Sequence, residues 1–470
     1  MLTTSNGSSR RAILRAVATV AGLPLISVLA AACQGATTAT PTAIGRQSQV
    51  STVSRQATTA AASGTTGTAT TAPQPAAAAV GGLSGPVDFW HVYNPSTAIP
   101  KLVALLQQKY PQLKVNFVPY GAAALATKLV AAAAGGTPPG GFYITAPFFH
   151  DTARFLAPLN AYINRDAKAI GVDDFLPIGL KANTINGKVY GLPMEIAVRI
   201  WWFNRQTLAE HGVALPVGPS APANVTERQL EDMAQKLTSD KLYGLFVDRT
   251  WWDILIYVFG FGGKFLDDAQ TKCLLDSPQA ITGIQHAFDL VVQNKFGPAT
   301  GGVVPHATSN DIAMALGNAA LAQNFRPLSN AADWDSGPVV MGPAAPMSYA
   351  FVHAGGVVQG TKNPEAAWTV LSEYTGKDAE PFWMTAHGWP TVRQSYLNLW
   401  IKDGSAPPTT RQNVLEWAKV APLITFPIGY NGSIGPVLTK AMSDAIAGKI
   451  TVQDAATQAA QQVTALLVKS

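Results

Sequence analysis

The residues able to do chemistry here form an aromatic set with few catalytic companions. Trp90, His91 and Tyr93 follow the alternating stretch Val87-Asp88-Phe89-Trp90 and lead into Asn94-Pro95-Ser96. Polar-tipped aromatics at the carboxyl end of a strand suit a ligand crevice, because open α/β sheets take their ligands at that edge. Core packing is the competing reading. The seven histidines, at 91, 150, 211, 286, 306, 353 and 387, show neither His-Glu-x-x-His nor close ligand spacing, so no metal and no cofactor are expected. No Gly-x-Ser-x-Gly elbow surrounds any serine. Gly260-Phe261-Gly262-Gly263-Lys264 lacks the spacing of a phosphate loop, and Asp173-Asp174 and Asp267-Asp268 read as solvated turns. A glycosidase would need two carboxylates across a cleft. Glu195 and Asp253 are the pair to consider, and chain spacing does not bring them together.

Cys33 closes a leader with a basic start (Arg10, Arg11, Arg15), an apolar stretch from Ala16 to Val28, and Ala30-Ala31-Ala32. The apolar stretch is shorter than the ~20 residues that span a bilayer. Residues 1–32 resemble a bacterial lipoprotein signal, which implies a lipid on the Cys33 sulfur and a place on the extracytoplasmic face of the cell membrane. Such leaders usually carry leucine where this chain has Ala30. Ser9-Arg10-Arg11 also resembles a twin-arginine export signal, with general secretion as the other route. Residues 33–85 are mostly Thr, Ala, Ser, Gly, Gln and Pro, a composition unable to offset its chain entropy by burial. A disordered tether is expected, with a root-mean-square span of roughly 40 Å.

Residues 1–85 hold five arginines and no Lys, Asp or Glu; removing them from the chain's 33 basic residues leaves 28 against 28 acidic. The body is therefore formally neutral, which gives no support to nucleic-acid binding. With Cys33 assigned to lipid, Cys273 has no partner and reads as a buried apolar side chain.

The elements that must position these residues alternate between strand and helix. Val87–Trp90, a helix from Ile99 to Tyr110, and Val115 with Phe117 make a βαβ unit. Thr226 and Gln229 form a capping-box pattern before Leu230, Met233 and Leu237. Ser277-Pro278 and Asn363-Pro364 each place a cap before a proline. They open helices carrying Ile281, Ile284, Phe288 and Val291, and Ala367, Trp368 and Leu371. An amphipathic helix from Thr451 carries Val463, Leu466 and Leu467. The pattern argues an α/β fold, and the length argues two domains.

In order, these residues resemble the extracellular solute-binding proteins of ABC importers, a family that includes maltose-binding protein. The resemblance rests on Asn186-Gly187-Lys188-Val189-Tyr190-Gly191-Leu192-Pro193 followed by Phe203-Asn204. It rests also on Gly355-Gly356 through Asn363-Pro364-Glu365-Ala366-Ala367-Trp368, and on Gly388-Trp389-Pro390-Thr391-Val392-Arg393. It implies a type II, hinged, two-lobed fold with an interlobe cleft. Residues 86–196 and 354–396 would form lobe 1, and 197–353 and 397–470 lobe 2. It also implies a monomer that closes on a carbohydrate and delivers it to the transmembrane subunits of an ABC permease, without altering it.

The resemblance places aromatic platforms at Trp251-Trp252-Asp253, with one indole facing the ligand and the other the core, and again at Tyr430. It brings Asn324 and the stretch Tyr349 to His353 to the ligand. Thr145, ending the apolar run Phe142-Tyr143-Ile144, is a further candidate, as is Glu195 near the interlobe crossing. Where the family often has Pro-Asp before the Phe142 strand, this chain has Gly140-Gly141. Arg199 and Trp201-Trp202 are expected to serve packing. A glycerophosphodiester binder of the same fold, a secreted carbohydrate-active enzyme and an adhesion module are the alternatives.

Overall fold

The computed structural model describes residues 83, 85–92, 97–214, 216, 223–387, 389–402 and 408–467. All belong to the compact unit that spans Thr71–Ser470. The leader, Cys33, nearly all of the tether, and Tyr93 lie outside the described residues. Among the described residues no helix is long and apolar enough to cross a membrane.

The chain opens with the βαβ unit expected from its periodicity. Strand β1 (Gly85–Val92) runs parallel to β2 (Leu113–Tyr120), with Phe89 opposite Phe117, and helix α1 (Ala98–Lys109) connects them, burying Leu102 and Leu106. Helix α2 (Ala122–Ala134) returns the chain to β3 (Gly141–Ile144), parallel to the other edge of β1. The Gly140-Gly141 pair has a steric cause. A Cβ on Gly141 would meet the Gly356 carbonyl oxygen at 2.8 Å, and one on Gly140 would meet Val87 Cγ1 at 2.6 Å. The strand must sit this close to its neighbours, and only glycine allows it.

Two strands carry the sheet out of this first lobe. Leu192–Asn204 is thirteen residues long and buried throughout; Ala350–Val357 is buried along all eight. The second pairs with β3 through Ala354–Val357 and with the first through Ala350–Gly355, both antiparallel. Beyond Val198 the long strand takes new partners, Met314–Asn318 and Trp334–Ser336. One strand thus belongs to both lobes of a mixed α/β molecule. Its two neighbouring indoles, Trp201 and Trp202, are both fully buried, and alternation sends them to opposite faces. Trp202 meets Phe325 edge-on at 5.2 Å, and Trp201 fills the space beside Gly337, where a Cβ would come within 2.2 Å of the ring. Truncating either to alanine would cost about 3–5 kcal/mol.

The helix starts are those the sequence marks. Thr226 and Gln229 make both bonds of a capping box before Glu227–Leu237. Ser277 caps Pro278–Val292 and Asn363 caps Pro364–Tyr374. The last helix, Val452–Leu467, buries Val463 and Leu467. Cys273 is fully buried, and burial pushes its thiol up to about 12, far from any nucleophilic role.

Burial also sets two opposed acid responses. Helix α3 (Ala146–Ala153) carries His150, 9% exposed. Desolvation, only partly offset by Asp151 and the Ala182 backbone, lowers its pKa from 6.5 to about 4. A depressed histidine contributes stability that is present above 6.5 and lost as pH falls toward 4, here roughly 3 kcal/mol. Buried Glu380 acts the other way: desolvation raises its pKa from 4.5 to about 7, so its stabilising protonated form is lost as pH rises through that range. The two windows overlap, and the wild-type pH profile mixes them. Comparison with His150→Gln separates them. Urea unfolding at pH 7 and pH 4 should show the variant gaining roughly 3 kcal/mol on wild type at the lower pH. A pH-independent offset would refute the assignment.

Candidate functional site

A crevice of about 380 Å³ lies where the two lobes meet. That volume suits a small to medium ligand. The first lobe contributes the start of α3, which follows β3 directly. Thr145, Pro147 and Phe148 line the crevice there, and the Thr145 side chain makes no capping bond to its own helix. The crossing strands supply Arg199 from one and Phe351 and His353 from the other. From the second lobe come Trp252, at the start of the helix Trp251–Gly260, and the turn after Met314–Asn318. That turn presents Asn318, Ala320, Leu321, Gln323 and Asn324. Trp389 completes the wall from the loop before Pro390.

The two adjacent indoles divide their roles. Trp251 is 4% exposed and packs into the lobe, while half-buried Trp252 faces the crevice. Trp252 is backed by other rings: its centroid lies 4.2 Å from that of Trp251 and 5.4 Å from both Phe426 and Tyr430. The Tyr349 hydroxyl donates to the Trp252 carbonyl at 2.7 Å, fixing the first turn of that helix. A platform held this way keeps little freedom to lose when a ring-shaped ligand stacks on it.

Charge in the crevice is compensated. The Arg199 guanidinium lies against the rings of Tyr349 at 4.5 Å and Phe351 at 5.4 Å, and Nε donates to Asp253 Oδ1 at 2.6 Å. Burial opposes its charge, but nearby acidic groups, Asp253 among them, keep its pKa above the ordinary value. Its Nη1 is buried and makes no hydrogen bond. On the other crossing strand, His353 Nδ1 accepts from the Ala146 backbone at 2.9 Å, which fixes the ring's tautomer and ties that strand to α3. The His353 and Trp389 rings lie 5.0 Å apart.

Of the residues expected from sequence, Thr145, Trp252, Asn324 and His353 come together on this wall. Others stand off it, each for a visible reason. Trp251, Tyr349 and Tyr430 are the aromatic backing, all nearly fully buried. The Asp253 carboxylate is engaged by Arg199. Glu195 is buried and accepts from the Tyr143 hydroxyl at 2.6 Å, so it and Asp253 are not a free pair facing a substrate. His91 is buried within the first lobe beside Phe117, and Trp90 packs edge-on to Tyr120 at 5.2 Å. Arg199, expected to serve packing alone, also reaches the wall. Phe351 falls within the stretch Tyr349 to His353, whereas Phe148, Asn318, Gln323 and Trp389 carry no site expectation from the sequence. The rule that ligands sit past the carboxyl ends of strands would have pointed to Phe148, one turn beyond β3.

A two-lobed α/β molecule with its crevice between lobes and two strands crossing beneath is the architecture of hinged solute-binding proteins. The sequence matches the family model for bacterial extracellular solute-binding proteins over residues 93–381, and the chain belongs to that family. Its fold is similar to that of an ABC substrate-binding protein from Listeria monocytogenes solved with cycloalternan (TM-score 0.73, 21% identity, covering 82% of this chain and 99% of that one). It is also similar to the GacH receptor of Streptomyces glaucescens, solved unliganded and with acarbose (0.69, 20%, 82% and 99%). A cyclic α-maltosyl-1,6-maltose binding protein from Arthrobacter globiformis matches in the same way (0.69, 18%, 82% and 100%).

One polar contact closes the structure beside the crevice. The Asp151 carboxylate on α3 accepts from the backbone amides of Gly429 at 2.5 Å, Tyr430 at 3.0 Å and Asn431 at 2.8 Å, and from Asn431 Nδ2 at 2.9 Å. Backbone amides converging on one anion are a strong arrangement. Asp151→Asn keeps the shape but turns a donor toward those amides. It should lower stability by about 2 kcal/mol in urea titration, while Asp173→Asn, at an exposed site, should change it by less than about 0.5 kcal/mol.

Proposed function

We propose that the protein is the lipid-anchored, extracytoplasmic binding component of an ABC importer for a neutral carbohydrate. The observation that carries this reading is Trp252: a ring-backed indole facing a crevice between lobes, across from Thr145 and Phe148. A sugar ring offers apolar C–H faces to such a platform and hydroxyls to Asn318, Gln323, Asn324 and the free Thr145 hydroxyl. Touching both lobes at once, it stabilises the closed form over the open one. Cycloalternan and acarbose in two of the similar structures, and the cyclic α-maltosyl-1,6-maltose for which the third protein is named, support an oligosaccharide. Closure is the signal that a permease would read, and no bond in the ligand need change. Lipid on Cys33 and the 33–85 tether would hold the body near that permease.

A glycerophosphodiester is the second reading, favoured by the Arg199 Nη1 that lacks a partner. Against it stands Asp253, which already compensates this guanidinium at 2.6 Å. A phosphate would leave the site with uncompensated negative charge.

Thermal shift and calorimetry with maltose, maltotriose, cyclic glucans, glycerol 3-phosphate and glycerophosphocholine test the choice. A neutral saccharide should raise the melting temperature, and Trp252→Ala should weaken its binding by about 2 kcal/mol, roughly thirtyfold. Stabilisation by the phosphates alone would replace the sugar reading with the second one. Release of cleavage products from the oligosaccharides would overturn the view that the ligand leaves unchanged.

A further inference from the structure

Away from the crevice, three side chains converge on the second lobe. Glu227 and Glu231 stand one turn apart on the helix Glu227–Leu237, hence on one face, and His286 reaches them from Pro278–Val292. None of the three lines the crevice. One ligand atom from each lies within 4.8 Å of the others. His286 Nε2 is 2.5 Å from Glu227 Oε1 and 2.8 Å from Glu231 Oε1. Despite this approach, Nε2 and Glu231 Oε1 are buried and neither makes a hydrogen bond, because the oxygens lie off the ring N–H axis. A simple histidine–carboxylate pair would align on that axis.

A second observation points to the same spot. The Tyr257 hydroxyl is buried without a hydrogen-bond partner on a side chain only 2% exposed. Glu231 and Glu227 are the leading charges acting on it, and its ring lies 6.1 Å from the imidazole. A buried phenol beside two carboxylates and bonded to neither lacks a partner that an ion's water would supply.

We propose that Glu227, Glu231 and His286 bind a divalent first-row transition ion, with zinc the best match to one imidazole and two carboxylates. Tyr257 would accept or donate a bond to the ion's fourth ligand, a water. Tetrahedral zinc, with ligands at roughly 2.0–2.2 Å, needs them about 3.3–3.5 Å apart. Each glutamate oxygen then retreats by less than about 1 Å, within the rotamer freedom of long side chains that are partly exposed. The ion would pin the capping-box helix to Pro278–Val292 and leave the ligand crevice untouched, a structural role rather than a catalytic one. Buried Cys273, its thiol held protonated, offers no competing thiolate.

The test uses untagged protein stripped with chelator and titrated with zinc chloride in a calorimeter. One saturable site per chain is expected, with a melting temperature that rises on zinc addition. Glu231→Gln and His286→Gln should each weaken zinc by roughly tenfold or more, with the fold intact by circular dichroism. Cobalt in place of zinc should give the visible absorption of a four-coordinate site, changed in Tyr257→Phe. The proposal is overturned if wild type shows no saturable binding, or if both variants bind zinc as wild type does. It is overturned equally if Glu231→Gln lowers the melting temperature by the same amount with and without zinc, since that is the behaviour of an ion pair alone.

Discussion

The pairing of Leu192–Asn204 with Ala350–Val357 is the constraint on which the rest of this molecule depends. Both strands are buried from end to end, so every backbone amide and carbonyl in them must find a partner inside the protein. The ladder between them supplies those partners on one side. β3 and the second-lobe strands Met314–Asn318 and Trp334–Ser336 supply them on the other. A segment so fully satisfied cannot be rearranged cheaply. Lobe motion must therefore bend this ribbon rather than break it, and the crevice above it inherits a fixed floor.

That floor explains why the crevice is aromatic and electrically quiet. Arg199 is buried on the long strand, where an unpaired guanidinium would be costly. Asp253 compensates it, and the rings of Tyr349 and Phe351 cover its faces. The same helix start that delivers Asp253 delivers Trp252, so the charge partner and the stacking platform are placed by one element. Phe426 and Tyr430 then back the platform from a segment anchored by Asp151. Trp252, Arg199 and His353 are thus each held by a group behind or beside them, which is what a preorganised site requires.

Much of this was legible in the sequence because it depends on local pattern. The βαβ start, the capping box at Thr226, the caps at Ser277 and Asn363 and the buried alternation of Trp201 and Trp202 are short-range features, and the structure has them. Trp252 against Trp251 was legible only as a division of roles, since adjacent residues on a helix point about 100° apart. Which one faces the crevice depends on the helix's rotation, and distant partners such as Phe426 set that. Glu195 looked like a ligand group because a charged residue beside a crossing strand is conspicuous; its neighbour Tyr143, fifty-two positions away, had already satisfied it. Histidine spacing along the chain likewise gave no metal site. Glu227 and Glu231 meet His286 only after two helices pack, and no linear motif records that.

The second crossing strand shows how occupancy of the crevice can reach the hinge. Its register against Leu192–Asn204 shifts between His353 and Ala354, a local irregularity in an otherwise regular ladder. The residue left out of the ladder is Met194 on the long strand, between Pro193 and Glu195, and it lets the long strand bend there, opposite His353 and Ala354. His353 faces the bend and lies on the crevice wall, and its Nδ1 accepts from the first amide of α3, the helix that follows Thr145 and carries Phe148 and Asp151. Under the proposed reading, a ligand pulling on that helix through Phe148 would pull on the residue that faces the bend. The adjoining Gly355 and Gly356 keep the path tight: a Cβ on either would come within 2.9 Å of the backbone of β3 or Tyr190. With no slack between the wall and the bend, a contact made in the crevice would be felt where the two lobes are joined.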